Sequence, residues 1–336
     1  MRVWFNHWFS TAYHLINLIK LGNPGKFEFI GSSTNERAVY RRVCEEWYSE
    51  PDNISENDYA EFCLKFCKEH KIDIFVPRRN MAAISERSAD FSEIGVKLFA
   101  DLNAKMLRIL DSKAAAYDYF RERNFDIIPE IITVRSAEEF EAAYEKLKST
   151  CARVCYKLET DEGARSFRVI DERTEQLSAL LEAPNMKISL QNALKILRQY
   201  DFKIPVLPMP YLSGQEISVD CLNTASGYII LPRYKNGRYS QVILDSGIMA
   251  LCGKMLTEIK LEMPLNIQFK TENNKPYLLE INPRMSGGLQ LSCEATGINI
   301  PSIAVNRLLG NEMPWEYPTA KIPTIVNLET PVSLGK

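Results

Sequence analysis

Short, unbroken apolar runs open the chain. They lie within "RVWFN", "FEFIGSS", "DIFVPRR" and "VKLFA", all in the first hundred residues. Runs of this length, apolar on both faces, suit strands of a parallel sheet covered by helices. Between them, residues 10–21 and 58–70 carry apolar positions at helical spacing, with Leu15, Leu18 and Ile19 in the first and Phe62 and Phe66 in the second. The alternation predicts a βαβ rhythm and so a small doubly wound α/β domain. "NHWFST" follows the first strand in place of G-x-G-x-x-G, so no dinucleotide site is expected there.

Beyond residue 102 the pattern changes. Residues 103–123 read as helical, with Asp111 or Ser112 able to cap "KAAAYDYFRER". A helix over 136–148 leads to a strand "ARVCYKL", a polar loop "ETDEGAR" and a return strand "SFRVI". Residues 172–200 read mostly as helix around a break at Pro184, and "IPVLPMPYL" reads as an extended connector, too rich in proline for a central strand. From residue 216, "EISVDCLN", "GYIILPRY", "YSQVILDSG" and "LNIQFKT/NKPYLLEIN" predict antiparallel strands with helical insertions. "SGGLQLSCEATGI" and "PSIAVNRLLG" predict closing helices. The expected division is 1–102, 103–205 and 206–336.

Composition narrows the functional classes. At 336 residues, 46% apolar and 25% charged, the chain is an ordinary globular sequence of two or three domains. A net charge of −2 gives no bulk attraction to nucleic acid or anionic membrane, so neither is expected as a partner. No apolar run reaches the roughly 18 residues of a membrane span, and the N-terminus lacks a signal-peptide cleavage pattern. A cytoplasmic location with reduced thiols is expected, because the eight Cys form no CxxC. Three His, all before residue 71, leave little room for a His-based metal site or a Ser/His/Asp triad.

The most informative stretch is "YLLEINPRMSGG", residues 277–288. Strand periodicity turns Glu280 and Asn282 to one face and Leu279 and Ile281 to the other. A three-residue loop in "ENNK" would place Gln268 of the preceding strand opposite Glu280. A carboxylate and two amide oxygens suit Mg²⁺, which takes a few protein oxygens besides phosphate and water. Arg284 offers a planar fork for phosphate or carboxylate, and Gly287-Gly288 permits close backbone approach before a helix start. Read alone, the Glu/Asn pair fits a solvent-facing hairpin better than a metal site. Upstream, Lys157 ends a strand before a loop holding Gly163, Arg165 and Ser166, and such a loop can fold over phosphates. "MPYLSGQEISVD" supplies an extended hinge and then Glu216, and the same residues would serve as a plain interdomain connector.

In their order along the chain, these pieces resemble the ATP-grasp superfamily. "LNIQFKTENNKPYLLEINPRMSGG…EATGINIPSIAVNRLLG" is similar to a segment of the carbamoyl-phosphate synthetase large subunit and of ATP-dependent carboxylate–amine ligases. The resemblance covers residues 100–312 well and the βαβ start more loosely. It implies an N-terminal parallel βαβ domain followed by a two-lobed ATP-grasp fold. It further implies that ATP and Mg²⁺, with Mn²⁺ as an alternative, serve to activate a small carboxylate as an acyl phosphate for attack by an amine.

Carried over residue by residue, the resemblance implies that Lys113 and Lys157 contact ATP phosphates, helped by Gly163 and Ser166 of the loop. Met209, Tyr211 and Leu212 would meet adenine and Glu216 the ribose. Gln268, Glu280 and Asn282 would hold the metal. Arg284 and Lys157 would be the catalytic residues, with Arg284 stabilising the transferred phosphoryl group or binding the substrate. The chain departs from the common pattern in a single-glycine loop with Asp161 and Glu162, in Pro210 at the hinge and in Gln268 where an acid is common. A nucleotide-binding module without ligase chemistry, and a subunit of a split carbamoyl-phosphate-type synthetase, are the competing readings. A homodimer is compatible with any of them.

Overall fold

The computed structural model describes residues 1–160, 165–176, 179, 182–183, 185–237 and 239–326. The chain divides into two compact units. The first comprises Met1–Leu110, Glu216–Gln268 and Ile281–Lys336, and the second Asp111–Gln215 with Phe269–Glu280.

The first unit begins with a five-stranded sheet of β1 (Arg2–Asn6), β2 (Glu28–Ser33), β3 (Glu46–Ser49), β4 (Ile74–Val76) and β5 (Lys97–Leu98), in the order β3-β2-β1-β4-β5. Every pairing is parallel, as the two-sided apolar runs predict. The helices Ala12–Gly22 and Glu56–Glu69 fill the crossovers. On the second helix's side, Trp4 stacks on Phe66 and Phe75 at centroid distances of 4.1 and 4.2 Å. The strand order runs from β1 out to β3 and then returns to β4 on β1's other side. The loops leaving β1 and β4 therefore diverge, which opens a crevice at the carboxyl ends of these two strands.

The second unit is built on β6 (Val154–Leu158), β7 (Arg168–Ile170), β8 (Lys187–Ile188) and β9 (Val206–Pro210), ordered β8-β7-β6-β9. The segment expected to be a mere connector is thus a strand. Its prolines are tolerated because of backbone phase. Tyr211 donates its N–H to the Arg153 carbonyl, and Glu159 donates to the Pro205 carbonyl, so odd-numbered positions of β9 face β6. Pro208 and Pro210 fall on even positions, where the missing N–H removes nothing from the β6 ladder, while the Pro208 carbonyl accepts from Ile132 on the outer side. The helix expected over 172–200 also shrinks. A 3₁₀ turn at Glu172–Glu175, β8, and a helix confined to Leu190–Leu197 take its place. Ser189 caps that helix by accepting from the Asn192 N–H, and Pro184 lies outside the described residues. The helical stretch 103–123 is two helices, Ala104–Asp111 and Lys113–Arg121, divided at Ser112, whose Oγ caps the second.

A third sheet holds β10 (Glu216–Thr224), β11 (Gly227–Asn236), β12 (Tyr239–Val242), β13 (Leu265–Glu272), β14 (Lys275–Asn282) and β15 (Thr324–Ile325), ordered β14-β13-β10-β11-β12-β15. The boundary between the units passes through β13 and β14. Within the first unit this sheet and the parallel sheet share one apolar core. Val3, Phe5, Leu15 and Ile19 meet Leu231, Leu289, Ile303 and Ala304 there. The β13–β14 turn is tighter than expected. It is a two-residue loop, Asn273-Asn274, with φ of 51° and 63°. Two consecutive left-handed residues make the type I′ turn that matches strand twist, and Asn is the non-glycine residue best suited to it.

All eight Cys are free thiols, and six are buried. Among the described residues no helix is long and apolar enough to cross a membrane.

Candidate active site

In the second unit, the small sheet separates two environments. Val154, Tyr156, Ile170 and Val206 pack with Phe140, Leu147 and Leu194 of the helices Ala137–Lys148 and Leu190–Leu197. The alternate positions Cys155, Val169, Leu207 and Met209 gather instead with Ala114, Phe167 and Tyr211. Lys157 shares the phase of Cys155, so it leaves β6 on this second face.

Lys157 and Lys113 converge near the same strand. Lys157 Nζ donates to the Leu279 carbonyl at 3.3 Å, which also accepts from the Tyr117 hydroxyl at 2.7 Å. Lys113 is the first residue of its helix and only 7% exposed. Its Nζ lies 3.5 Å from the Glu159 carbonyl and 3.9 Å from a Glu280 carboxylate oxygen. Ser112 donates to the Glu159 carboxylate at 2.5 Å, which ties the start of the polar loop to the cap of the Lys113 helix. Burial, together with the Glu280 charge, pushes the Tyr117 phenol up, so it is a neutral donor. Ser166 Oγ accepts the Leu158 N–H at 2.9 Å and joins the two sides of the loop. Gly163, with the rest of 161–164, lies outside the described residues.

The hinge follows β9. Met209 pairs with Cys155 across the sheet, and Leu212 is nearly buried. The Tyr211 ring is met by Arg153 at 4.2 Å and Lys270 at 5.8 Å. The chain is then pinned to β13. Gly214 donates to the Thr271 carbonyl at 3.0 Å, and a Cβ on Gly214 would come within 2.2 Å of that same oxygen.

In the first unit, Glu216 is ion-paired with Lys235, its register partner on β11. Gln268 donates its side-chain amide N–H to Asn266 Oδ1 at 3.1 Å. Asn266 is itself held by bonds to Ser218, the Val219 carbonyl and Asp220 at 2.9–3.2 Å. This chain of bonds fixes the Gln268 amide with Oε1 as the oxygen turned away from Asn266, the orientation an outer support gives a metal-ligating amide. β14 ends in a tight reversal in which the Arg284 N–H donates to the Asn282 carbonyl at 2.8 Å.

Arg233 is 3% exposed and serves as an internal support. Its guanidinium contacts Ser218 and Ser292 and lies 4.0 Å from Asp220. Asp220 also accepts from Ser286 and Ser292 at 2.7 Å each. A Cβ at Gly288 would fall 2.2 Å from Arg233 Nη2, whereas one at Gly287 would meet nothing closer than 3.5 Å. The close approach foreseen for the glycine pair is therefore, at Gly288, to a buried arginine of the protein itself.

The sequence-derived residues thus divide between the units. Lys113, Lys157, Ser166, Met209, Tyr211, Leu212 and Glu280 belong to the second, and Glu216, Gln268, Asn282 and Arg284 to the first. Sequence reasoning did not single out Tyr117, Glu159, Lys235 or Asp220, and it named Ser112 only as a helix cap, which it is. Only Lys235 left a signal, as a basic residue at the strand position opposite Glu216. Among the described residues no three His, Cys, Asp or Glu side chains gather as a metal site. The expected set has one acid and two amides, and so little charge suits a metal that also binds phosphate oxygens.

Residues 203–331 match the family described as "ATP-grasp in the biosynthetic pathway with Ter operon". The carbamoyl phosphate synthase large chain of Clostridium beijerinckii is 25% identical over 152 residues, which is 39% of this chain and 14% of that protein. The chain therefore aligns with a small part of that relative's length. Two solved structures extend the likeness to 96% of the chain. One is the biotin carboxylase domain dimer of Hydrogenobacter thermophilus 2-oxoglutarate carboxylase with MgADP, ADP and bicarbonate, at TM-score 0.66, 15% identity and 72% of its own chain. The other is the ADP complex of N5-carboxyaminoimidazole ribonucleotide synthetase, at TM-score 0.69, 11% identity and 80% of its own chain. These identities speak for the fold, a parallel five-stranded sheet followed by ATP-grasp lobes. With the family match, they make the chain similar to ATP-grasp proteins over residues 203–331 and alike in fold to these two structures over 96% of its length.

Proposed function

We propose that this protein is an ATP- and Mg²⁺-dependent ligase that activates a small carboxylate and joins it to an amine. The observation that carries the reading is the convergence of Lys113 with Glu280, and of Lys157 with the neighbouring Leu279 carbonyl, at the end of one strand. One ammonium group beside a carboxylate, and a second on the adjoining carbonyl, form a place where phosphate oxygens and a divalent cation are both met by opposite charge. On this reading 103–205 is the lobe that covers the nucleotide, and 206–336 carries the metal ligands.

Lys113 and Lys157 hold the nucleotide phosphates. Gln268, Glu280 and Asn282 hold Mg²⁺, which neutralises charge on the transferring phosphoryl group when bound. The apolar patch of Cys155, Val169, Leu207 and Met209 packs against adenine. Because the Tyr211 N–H is committed to Arg153, the adenine edge is read from the Leu212 side of the hinge. Glu216 accepts from the ribose, sharing its carboxylate with Lys235. Arg284 pairs with the acceptor carboxylate. In the transfer, a carboxylate oxygen forms the new bond to the γ-phosphorus as the bond to the ADP oxygen breaks. The amine nitrogen then attacks the carbonyl carbon, phosphate departs with the C–O electron pair, and the amine proton passes to solvent. Positioning and charge neutralisation suffice for this chemistry, which explains a site without catalytic His or Cys.

The test is ADP formation across a matrix of carboxylates and amines, using ¹⁸O-labelled carboxylate. Transfer of one ¹⁸O into phosphate supports the acyl phosphate route. ATP binding with no ADP formation over a broad matrix contradicts ligase chemistry.

A further inference from the structure

The crevice at the carboxyl ends of β1 and β4 holds a feature that the nucleotide site does not use. Two guanidinium groups meet one aromatic ring there. Arg78, from the loop after β4, lies 5.2 Å from the Phe9 centroid, and Arg284, from the loop after β14, lies 5.4 Å from it. Both arginines and Phe9 belong to the first unit. Sharing one ring, the two guanidinium carbons lie within about 11 Å of each other.

Arg78 is held through both its backbone and its side chain. The Arg78 N–H donates to Asn6 Oδ1 at 2.9 Å, and its Nη1 donates to the His7 carbonyl at 3.2 Å. Asn6 is fully buried and donates in turn to Tyr59. The loop after β1 leads directly into the N-terminus of the helix Ala12–Gly22, whose first turn has no acidic residue. That end adds positive potential on the same side.

Two polar atoms of the first unit are buried without a hydrogen-bond partner, Thr11 Oγ1 and Gln290 Oε1. Gln290 is 2% exposed, and its Nε2 already donates to the Gly287 carbonyl at 3.0 Å. Gly287 is the residue whose Cβ would lie 3.5 Å from Thr11 Oγ1. A buried, unsatisfied carbonyl oxygen is costly unless a ligand donor reaches it.

We infer that Arg78 binds a second oxyanion on the carboxylate substrate, so that the protein acts on dianionic small molecules. Arg284 meets the carboxylate to be activated, and Arg78 meets a further carboxylate or phosphate at the switch point of the parallel sheet. Gln290 and Thr11 accept from hydroxyl or amine donors between the two anionic ends. This assignment rests on the carboxylate-activating reading and deepens it. Arg78 takes no part in the phosphoryl transfer and sets which carboxylate is chosen.

The experiment is isothermal titration of the full chain in the presence of MgADP with three probes: butyrate, glutarate and phosphoglycolate. The expected result is saturable binding of at least one of the two dianions, with butyrate about tenfold or more weaker, the loss of one charge-assisted contact. Arg78→Gln should weaken dianion binding by a similar factor and leave butyrate and MgADP unchanged. The tighter of the two dianions identifies the second group as carboxylate or phosphate. Arg78→Lys, which keeps the charge but loses the fork, carries the test should Arg78→Gln fail to fold: weakening of about threefold or more supports the assignment. Butyrate binding as tight as the dianions, no saturable binding of either dianion, or unchanged dianion affinity in the variant that folds overturns it. MgADP affinity, titrated separately, tests the nucleotide site, so failure of the ligase reading is distinguishable.

Discussion

Lys113 Nζ lies 3.9 Å from a carboxylate oxygen of Glu280, although the two residues are far apart in the sequence. The lysine is held by helix geometry, as the first residue after the Ser112 cap, and the glutamate by the strand β14. Both positions are thus set by backbone, which is what a preorganised phosphate and metal site requires.

Removing the acid tests the metal role. Glu280→Gln keeps shape and removes charge, and is expected to lower Mg²⁺-dependent ADP formation by on the order of 10²-fold or more. A Mg²⁺ titration of turnover checks it, with the variant needing far more metal for half-saturation. Equal metal dependence in the two proteins would remove Glu280 from the ligand set.

Gly288 and Gly287 should behave differently despite being neighbours. Gly288→Ala drives a methyl into the buried Arg233 guanidinium and is expected to cost about 1–3 kcal/mol. Gly287→Ala meets only ordinary contacts and should stay within about 0.5 kcal/mol. Urea unfolding of the two variants gives the comparison directly.

Asp101 predicts a pH signature. It is buried and accepts from the backbone N–H groups of Glu262 and Met263. Burial outweighs those bonds and lifts its carboxyl from 3.8 to about 6. The folded state therefore binds the proton more tightly than the unfolded state. The stabilisation is full below pH 4 and is lost as pH rises through 6, an effect of up to about 3 kcal/mol. Asp171, lowered to about 2 by its bonds to Arg173, runs the other way, gaining as pH rises through the acid range. Thermal midpoints of the wild type minus those of Asp101→Asn isolate the Asp101 contribution. The difference should fall between pH 4 and 6, and a flat difference would contradict the assignment.

Much of this fold is legible in the sequence because its signals are local. The two-sided apolar runs of β1, β2 and β4 need a parallel sheet. In "YLLEIN" the expected alternation is not kept: Leu278 and Ile281, three apart, are the buried positions, and Leu279 is only partly buried. The failures have physical causes. β9 was hidden by Pro208 and Pro210, since composition does not reveal on which side of a strand a missing N–H falls. The turn after β13 looked like three residues because Asn is permissive in more than one turn type. The supports of the site, Asp220 with Arg233 and Tyr117 with Leu279, join residues distant in sequence. Each half looks like an ordinary surface group until the fold pairs it.

The central claim is that Lys157, on the face of the small sheet opposite its helices, holds a nucleotide phosphate. Titration of MgADP into the full chain, wild type and Lys157→Met, tests it most directly. The account predicts saturable, Mg²⁺-dependent binding to the wild type and a Kd raised by roughly tenfold or more in the variant, the loss of one charge-assisted phosphate contact. Equal affinity in the two proteins, or no binding by the wild type, would contradict it.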